Sequence, residues 1–268
     1  MLELRGVGYR YAGFARPVLH EIDLTLADGE IVGLVGPNEA GKSTLCLVAS
    51  GLAPGSIGGA LTGEGLVIDG ASMTGRPLHE LSTRVGIGFQ NPATQLSGVT
   101  GSVFEEVALG PMNLGLRPRE TVERAKGALA ALGIEHLAER EPGRLSGGQA
   151  QLVVIASLLA MRPPHLILDE PTAQLDPEGT RLVGEALGGL AATGTALLIA
   201  EHKTDLLDGL CSRVVVIDDG RLVADGPGAA VLGDPTLTDR GVDPPSRVRL
   251  ATAVATAGLP PLIAEGGA

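Results

Sequence analysis

The sequence predicts an α/β protein. Three observations carry that prediction. Short apolar runs (Ile31 to Val35, Val85 to Phe89, Leu166 to Leu168, Ala196 to Ala200) alternate with stretches of helical periodicity. One run leads directly into a glycine-rich loop and a helical pattern, over residues 31 to 52. Another ends in two adjacent carboxylates, Asp169 and Glu170. Polar chemistry of that kind belongs at the C-terminal edge of a parallel sheet, where open α/β folds bind ligands.

The chain has 268 residues, enough for one large domain or two small ones. Its formal charge is −11, from 20 basic and 31 acidic residues. That argues against general binding along a nucleic-acid backbone, which needs a basic face, but leaves room for a local phosphate site. Mean hydropathy is positive at +0.26. Yet the longest apolar run, Leu152 to Met161, is roughly ten residues, and a membrane span needs about 20. The sequence opens on a strand-like segment with no signal pattern, so a cytosolic protein is expected. Cys46 and Cys211 form no disulfide framework and no metal spacing; Cys46 reads as a small buried hydrophobe.

Residues 1 to 30 read as antiparallel β, with Ile22, Leu24 and Leu26 alternating with polar neighbours. Tyr11 falls on a strand that can lie beside the glycine loop. Its ring can stack on a base or pack on the sheet, and the pattern leaves both open. Gly36-Pro37-Asn38-Glu39-Ala40-Gly41-Lys42-Ser43-Thr44 matches G-x-x-x-x-G-K-[ST], the phosphate-binding loop. Loop N–H groups and the positive end of the following helix (Lys42 to Leu52, with Gly51 near its end) would face phosphate oxygens. Lys42 would reach the β- and γ-phosphates of a nucleotide, and Ser43 would place its hydroxyl on Mg²⁺. Asp69-Gly70 after Leu66-Val67-Ile68 predicts a hairpin turn. Gln90 ends the strand over residues 85 to 89, before Asn91-Pro92; it is either a ligand to a bound ion or an ordinary loop glutamine.

Residues 93 to 160 change character. Val103 to Leu109 and Thr121 to Leu132 predict helices joined by the Gly/Pro-rich stretch Gly110 to Gly115, a helical insertion into the α/β body. At its end Ser146 and Gln149 form a capping box around Gly147 and Gly148, and such a helix start can also bind an anion. Asp169 would hold Mg²⁺ and Glu170 would polarise an attacking water. Leu175-Asp176-Pro177 predicts a turn and helix start. His202 follows the strand Ala196 to Ala200, as a site residue or a hydrogen-bonded loop residue. Asp218-Asp219-Gly220 predicts a hairpin. Residues 234 to 268 read as a C-terminal helical appendage, with Ser246 to Ala257 helical.

Taken in order, these motifs resemble the ATP-binding subunit of ABC transporters. The resemblance covers nearly the whole chain, and the unaltered Leu145-Ser146-Gly147-Gly148-Gln149 is its most specific part. It implies a P-loop NTPase cassette over residues 1 to 233, with a mixed sheet core, an N-terminal antiparallel β subdomain and a helical subdomain over about 92 to 160. Tyr11 would stack on adenine, Gln90 would be the Q-loop, Asp176 the D-loop, and His202 the switch histidine. Lys42, Gln90, Glu170 and His202 would carry catalysis; Ser43, Gln90 and Asp169 the metal. Ser146 and Gly148 would contact the γ-phosphate bound by a second cassette. Phe89-Gln90-Asn91-Pro92 with Gln95, the segment Glu106 to Leu116 and the tail Gly241 to Gly258 look like the energy-coupling factor group, which imports vitamins or transition-metal ions. The resemblance implies ATP and Mg²⁺ as cofactors, a second cassette and membrane coupling and capture proteins as partners, and a place on the cytoplasmic face of the membrane. A soluble ABC ATPase acting on nucleic acid or the ribosome, and a regulatory half of an unequal pair, are the other readings. Four residues depart from the family pattern: Glu39, Leu152, Gln174 and Glu201.

Overall fold

Residues 1 to 257 are described in the computed structural model. The alternation in the first strands is resolved by pairing. β1 (Leu2–Arg10) and β2 (Leu19–Leu26) run antiparallel with Leu2 opposite Leu26, Leu4 opposite Leu24 and Val7 opposite Ile22. One face of the pair is therefore apolar and buried. β3 (Ile31–Val35) leads through the glycine loop into α1 (Lys42–Ala49), which stops short of the expected Leu52 because Gly51 turns left-handed (φ 76°) and starts the short α2 (Leu52–Gly55). β4 (Ala60–Thr62), β5 (Gly65–Ile68) and β6 (Ala71–Ser72) then return to the first sheet, whose order is β2-β1-β5-β6 with β4 also on β1. The antiparallel sheet is thus completed by strands that follow the glycine loop in sequence.

α3 (Leu78–Leu81) and β7 (Val85–Gly88) precede the helical part: α4 (Val103–Asn113), α5 (Pro118–Ala131) and α6 (Gly147–Met161). These three pack on one another. α4 runs past Leu109 into the stretch expected to break it. Pro111 costs one backbone bond inside the helix. It is buried, however, and Gly110 lies so close to Met161 that a Cβ there would come within 2.6 Å of its Cγ. Tertiary packing of α4 against α6 overrides the local signal. α6 opens with the expected capping box: Ser146 Oγ accepts from Gln149 N at 3.3 Å, and Gln149 Oε1 accepts from Ser146 N at 3.2 Å.

The chain continues through β8 (His165–Asp169), α7 (Pro177–Ala192), β9 (Ala196–Ala200), β10 (Arg213–Asp218), β11 (Arg221–Pro227), α8 (Gly228–Leu232) and α9 (Ser246–Thr256). The second sheet has the order β11-β10-β3-β9-β8-β7, parallel from β10 to β7 and antiparallel at β11. It is mixed and covered on both sides. Ile31, Val35, Leu166, Leu168, Leu197 and Ile199 pack toward the helices, while Val32, Leu34, Ile167 and Leu198 pack toward α1 and the antiparallel sheet. Burial on both faces is why these strands read as continuous apolar runs. Among the described residues no helix is long and apolar enough to cross a membrane.

After α8, Asp234 caps a 3₁₀ segment over Pro235–Arg240 and the chain reaches α9, which buries none of its residues. Thr204 Oγ1 donates to Asp243 O at 2.7 Å, Ser246 donates from N and Oγ to Asp205, and Arg247 holds Asp208 through Nε and Nη2. Residues 258 to 268 of the expected appendage lie outside the described residues.

The β10–β11 turn ties the two sheets to the glycine loop. Asp219 and Gly220 are left-handed (φ 43° and 70°), as a two-residue hairpin requires. Gly220 N donates to Ala40 O at 3.0 Å, and Gly220 O accepts from His20 N at 2.8 Å. A Cβ on Gly220 would fall 2.1 Å from Val18 O. Gly220→Ala is expected to lower unfolding free energy by at least about 1–3 kcal/mol, the usual scale of such strain, as read by urea denaturation.

Candidate nucleotide site

Because five strands of the second sheet run parallel, their C-terminal ends share one edge. Gly36, Gln90, Asp169, Glu170, Glu201 and His202 all sit on or just after those ends. Gly36 passes close under β10: a Cβ there would be 2.2 Å from Ile217 O, so only glycine fits. Glu39 is left-handed (φ 64°) and exposed, with its side chain outside the core. Gly41, also left-handed (φ 108°), starts α1. Lys42 is 7% exposed, and its Nζ donates to Gly36 O at 2.7 Å and Pro37 O at 2.8 Å. An ammonium has three N–H groups, so one remains for an anion at the loop. Burial pulls the Lys42 pKa down, while the charges of Glu170 and Asp169 push it up. Ser43 is exposed and Thr44 buried.

The carboxylates occupy different environments. Asp169 is buried, and burial raises its pKa; Glu170 raises it further, while the Ser43 hydroxyl and Lys42 act the other way. Its Oδ1 is buried with no hydrogen-bond partner among the described residues. Glu170 is half-buried and left-handed at φ 48°, a conformation that non-glycine residues rarely keep. Its Oε2 accepts from Gln90 Nε2 at 2.6 Å. The backbone leading to Gln90 is held by its own loop: Gln95 Oε1 accepts from Phe89 N at 2.7 Å and Gln95 Nε2 donates to Ile87 O at 2.9 Å. β7 is an edge strand, and the Gln95 amide satisfies backbone groups that no neighbouring strand can pair. His202 is exposed next to Glu201.

Tyr11 is half-buried, with its hydroxyl 3.1 Å from Thr44 Oγ1 and its ring edge-on to Tyr9 at 5.0 Å. The structure thus joins Tyr11 to the glycine-loop helix, Lys42 to the loop carbonyls and Gln90 to Glu170. It does not join Ser146, Gly147, Gly148 and Gln149 to that group: among the described residues no hydrogen bond links them to residues 36 to 44. Their neighbour is Gln174, whose Oε1 would stand 2.2 Å from a Cβ on Gly147. Asp176 caps α7, accepting from Gly179 N at 2.7 Å. Leu152 is half-buried against the helical core, and Cys46 is buried with its thiol pKa pushed well up.

Two residues beyond the motifs have structural weight at this edge. Gln95 is one. Glu201 is the other: it is 1% exposed, and its Oε1 accepts from Thr172 N at 3.1 Å and Thr172 Oγ1 at 2.7 Å. Burial pushes its pKa up to about 7, with Glu170 adding to the rise and the Thr172 bonds opposing it. The signal for Glu201 was present in the sequence. It is a carboxylate directly after a wholly apolar strand, the same feature that marks Asp169. Nothing in the local sequence marks the fold-back of Gln95.

The sequence profile of the ABC transporter family matches residues 19–173. The chain is 41% identical over 94% of its length, and 88% of the relative's, to a cobalt import ATP-binding protein, CbiO, of Rhodobacter capsulatus. It is 38% identical over 93% of its length, and 89% of the relative's, to a putative ABC transporter ATP-binding protein of Pyrococcus abyssi. Among solved structures it is similar to cbiO1 of Clostridium perfringens, part of the ABC transporter complex cbiONQ, with a TM-score of 0.77 and 30% identity over 96% of this chain and 98% of that one. It is also similar to the dimeric, post-hydrolysis ATP-binding cassette MJ0796 bound to ADP and Pi, with a TM-score of 0.73 and 26% identity over 85% of this chain and 98% of that one. With the phosphate loop, the paired carboxylates and the intact Leu145 to Gln149 segment on one such fold, the chain belongs to the ABC transporter family, as an ATP-binding, ATP-hydrolysing cassette.

Proposed function

We propose that this cassette powers a membrane importer of the energy-coupling factor type, taking up a transition-metal ion or a vitamin. The observation that carries the reading is the likeness to a cobalt import protein along nearly the whole chain. A groove of about 530 Å³ supports it. It lies between the α/β body at His79, Ser82 and Thr83 and the helical part at Gln95, Glu106, Leu109 and Asn113. A membrane subunit would dock there, and a separate membrane protein would capture the solute. The cassette would work at the cytoplasmic face, paired with a second cassette. Residues 1 to 233 would form the catalytic cassette, and the segment from 234 its appendage. The net charge of −11 counts against a nucleic-acid partner.

In this reading Gly36 to Thr44 cradle the phosphates of ATP, and the remaining N–H of Lys42 meets them. Tyr11 gives up its Thr44 contact to stack on adenine. Glu170 takes the proton of the attacking water, with Gln90 and His202 beside the γ-phosphate. Ser146 to Gln149 and Asp176 face the nucleotide of the partner cassette. Magnesium suits the same edge. The unpartnered Asp169 Oδ1 and the exposed Ser43 hydroxyl are hard oxygen donors, and Mg²⁺ needs only one or two protein ligands besides phosphate and water. Asp169, Ser43 and Gln90 would hold it, and when bound it supplies positive charge to the phosphate oxygens.

Lys42→Ala removes a charge-assisted contact worth roughly 1.5–3 kcal/mol. ATP affinity or turnover is expected to fall about 10- to 100-fold, measured by isothermal titration and phosphate release; wild-type values would refute the loop assignment. Glu170→Gln keeps size but cannot accept a proton, so turnover should drop by roughly 10²–10⁴ while ATP still binds. Sedimentation of this variant with ATP and Mg²⁺ should show an ATP-dependent cassette pair. Purification from native cells should recover a membrane scaffold and a small membrane capture protein. Recovery of two permeases that need an external binding protein would overturn the importer class and leave the family intact.

A further inference from the structure

Glu201 is a buried carboxylate with no part in the mechanism above, where the ends of β3, β8 and β9 come together. Its backbone N donates to Leu34 O at 3.1 Å, two residues before Gly36, so its main chain is fixed to the strand that feeds the phosphate loop. Its side chain reaches the segment after β8 and accepts both the N–H and the hydroxyl of Thr172, itself 1% exposed. Thr172 lies inside the turn that runs from Glu170 to Ala173, where Ala173 N donates to Glu170 O at 3.2 Å. On its other side Glu170 N is held by Ala200 O at 2.8 Å, the carbonyl directly before Glu201. Glu170 therefore sits in its left-handed conformation between two anchors, and residues 200 and 201 supply both. A non-glycine residue keeps such a backbone only where its surroundings impose it. A carboxyl out of water at this point costs stability, and its bonds to Thr172 answer a specific need.

We infer that Glu201 is a positioning residue for ATP hydrolysis: through Thr172 it holds the turn that aims the Glu170 carboxylate. The role needs an acceptor of the right length at position 201 and does not need a charge. It rests on the reading of Glu170 as the base. It separates Glu201 from the phosphate contacts, since neither its carboxylate nor Thr172 bonds to the loop of residues 36 to 44.

The test uses the full-length chain in the complex in which it hydrolyses ATP. Glu201→Ala, Glu201→Asp, Glu201→Gln and Thr172→Val are compared for kcat, KM for ATP, equilibrium ATP affinity and melting temperature, with Glu170→Gln as the control. Glu201→Ala should lower kcat at least tenfold with KM and ATP affinity within twofold of wild type. Glu201→Asp, with the acceptor drawn back by one methylene, should fall between. Glu201→Gln should restore kcat to within about threefold of wild type, because its amide oxygen can accept the same two bonds. Thr172→Val, which keeps the N–H bond and loses the hydroxyl one, should lower kcat less than Glu201→Ala. A wild-type kcat in Glu201→Ala overturns the inference. So does a parallel loss of kcat, ATP affinity and melting temperature that Glu201→Gln does not rescue, because that marks a general support of the fold. If Glu170→Gln itself keeps full turnover, the base assignment fails instead, and the two failures are distinct.

Discussion

The molecule depends on one constraint: a parallel sheet buried on both faces can carry polar chemistry only where its strands end. β3, β7 and β9 are apolar throughout and β8 is apolar between His165 and Asp169, with Ile199, Leu198 and Ile167 wholly inside. Side chains that would be intolerable a residue earlier appear one step beyond: Gly36 and its loop, Gln90, Glu170, Glu201 and His202. Parallel pairing places them at one edge without any of the long-range side-chain contacts having to assemble it. The antiparallel sheet and the helical part then cover the two faces and leave that edge open.

The charges at the edge are balanced by geometry more than by number. Asp169, Glu170 and Glu201 crowd within a few residues of one another in space, against the single ammonium of Lys42. Each is handled differently. Lys42 spends two of its donors on its own loop. Glu170 shares a short bond with Gln90. Glu201 is pushed toward the neutral form and bonded to Thr172. Asp169 keeps its Oδ1 without a hydrogen-bond partner among the described residues, and burial pushes its pKa up.

Much of this was legible before any coordinates. The phosphate loop, the capping box at Ser146, the hairpin at Asp219-Gly220 and the paired carboxylates are local signals, and each lies within a stretch of nine residues or fewer. What escaped was non-local. The continuation of α4 through Gly110 and Pro111 depends on Met161, some fifty positions on in sequence. The completion of the first sheet by β4, β5 and β6 depends on pairing with β1 across the glycine loop. The fold-back of Gln95 onto Ile87 and Phe89 depends on β7 lying at an edge. In the site, the sequence told that Gln90, Glu170 and His202 would stand at strand ends, not which of them would meet. It could not tell that Gln174, from the segment before α7, would fill the space against Gly147.

The segment after β11 has a practical consequence for handling the protein. Asp243, Ser246 and Arg247 are tied to Thr204, Asp205 and Asp208, directly after His202, and Gly241 lies against Pro37 of the phosphate loop, where a Cβ would be 3.3 Å from the proline's own Cβ. A shortened version ending before residue 241 would strip three partner residues from the segment behind the histidine and uncover the proline. A fusion or surface tether attached beyond α9 would instead pull on that segment through the Arg247 and Ser246 bonds. Reporter labels intended to leave the nucleotide edge undisturbed are better placed on the exposed face of α5, whose Arg119 and Glu123 pair with each other among the described residues.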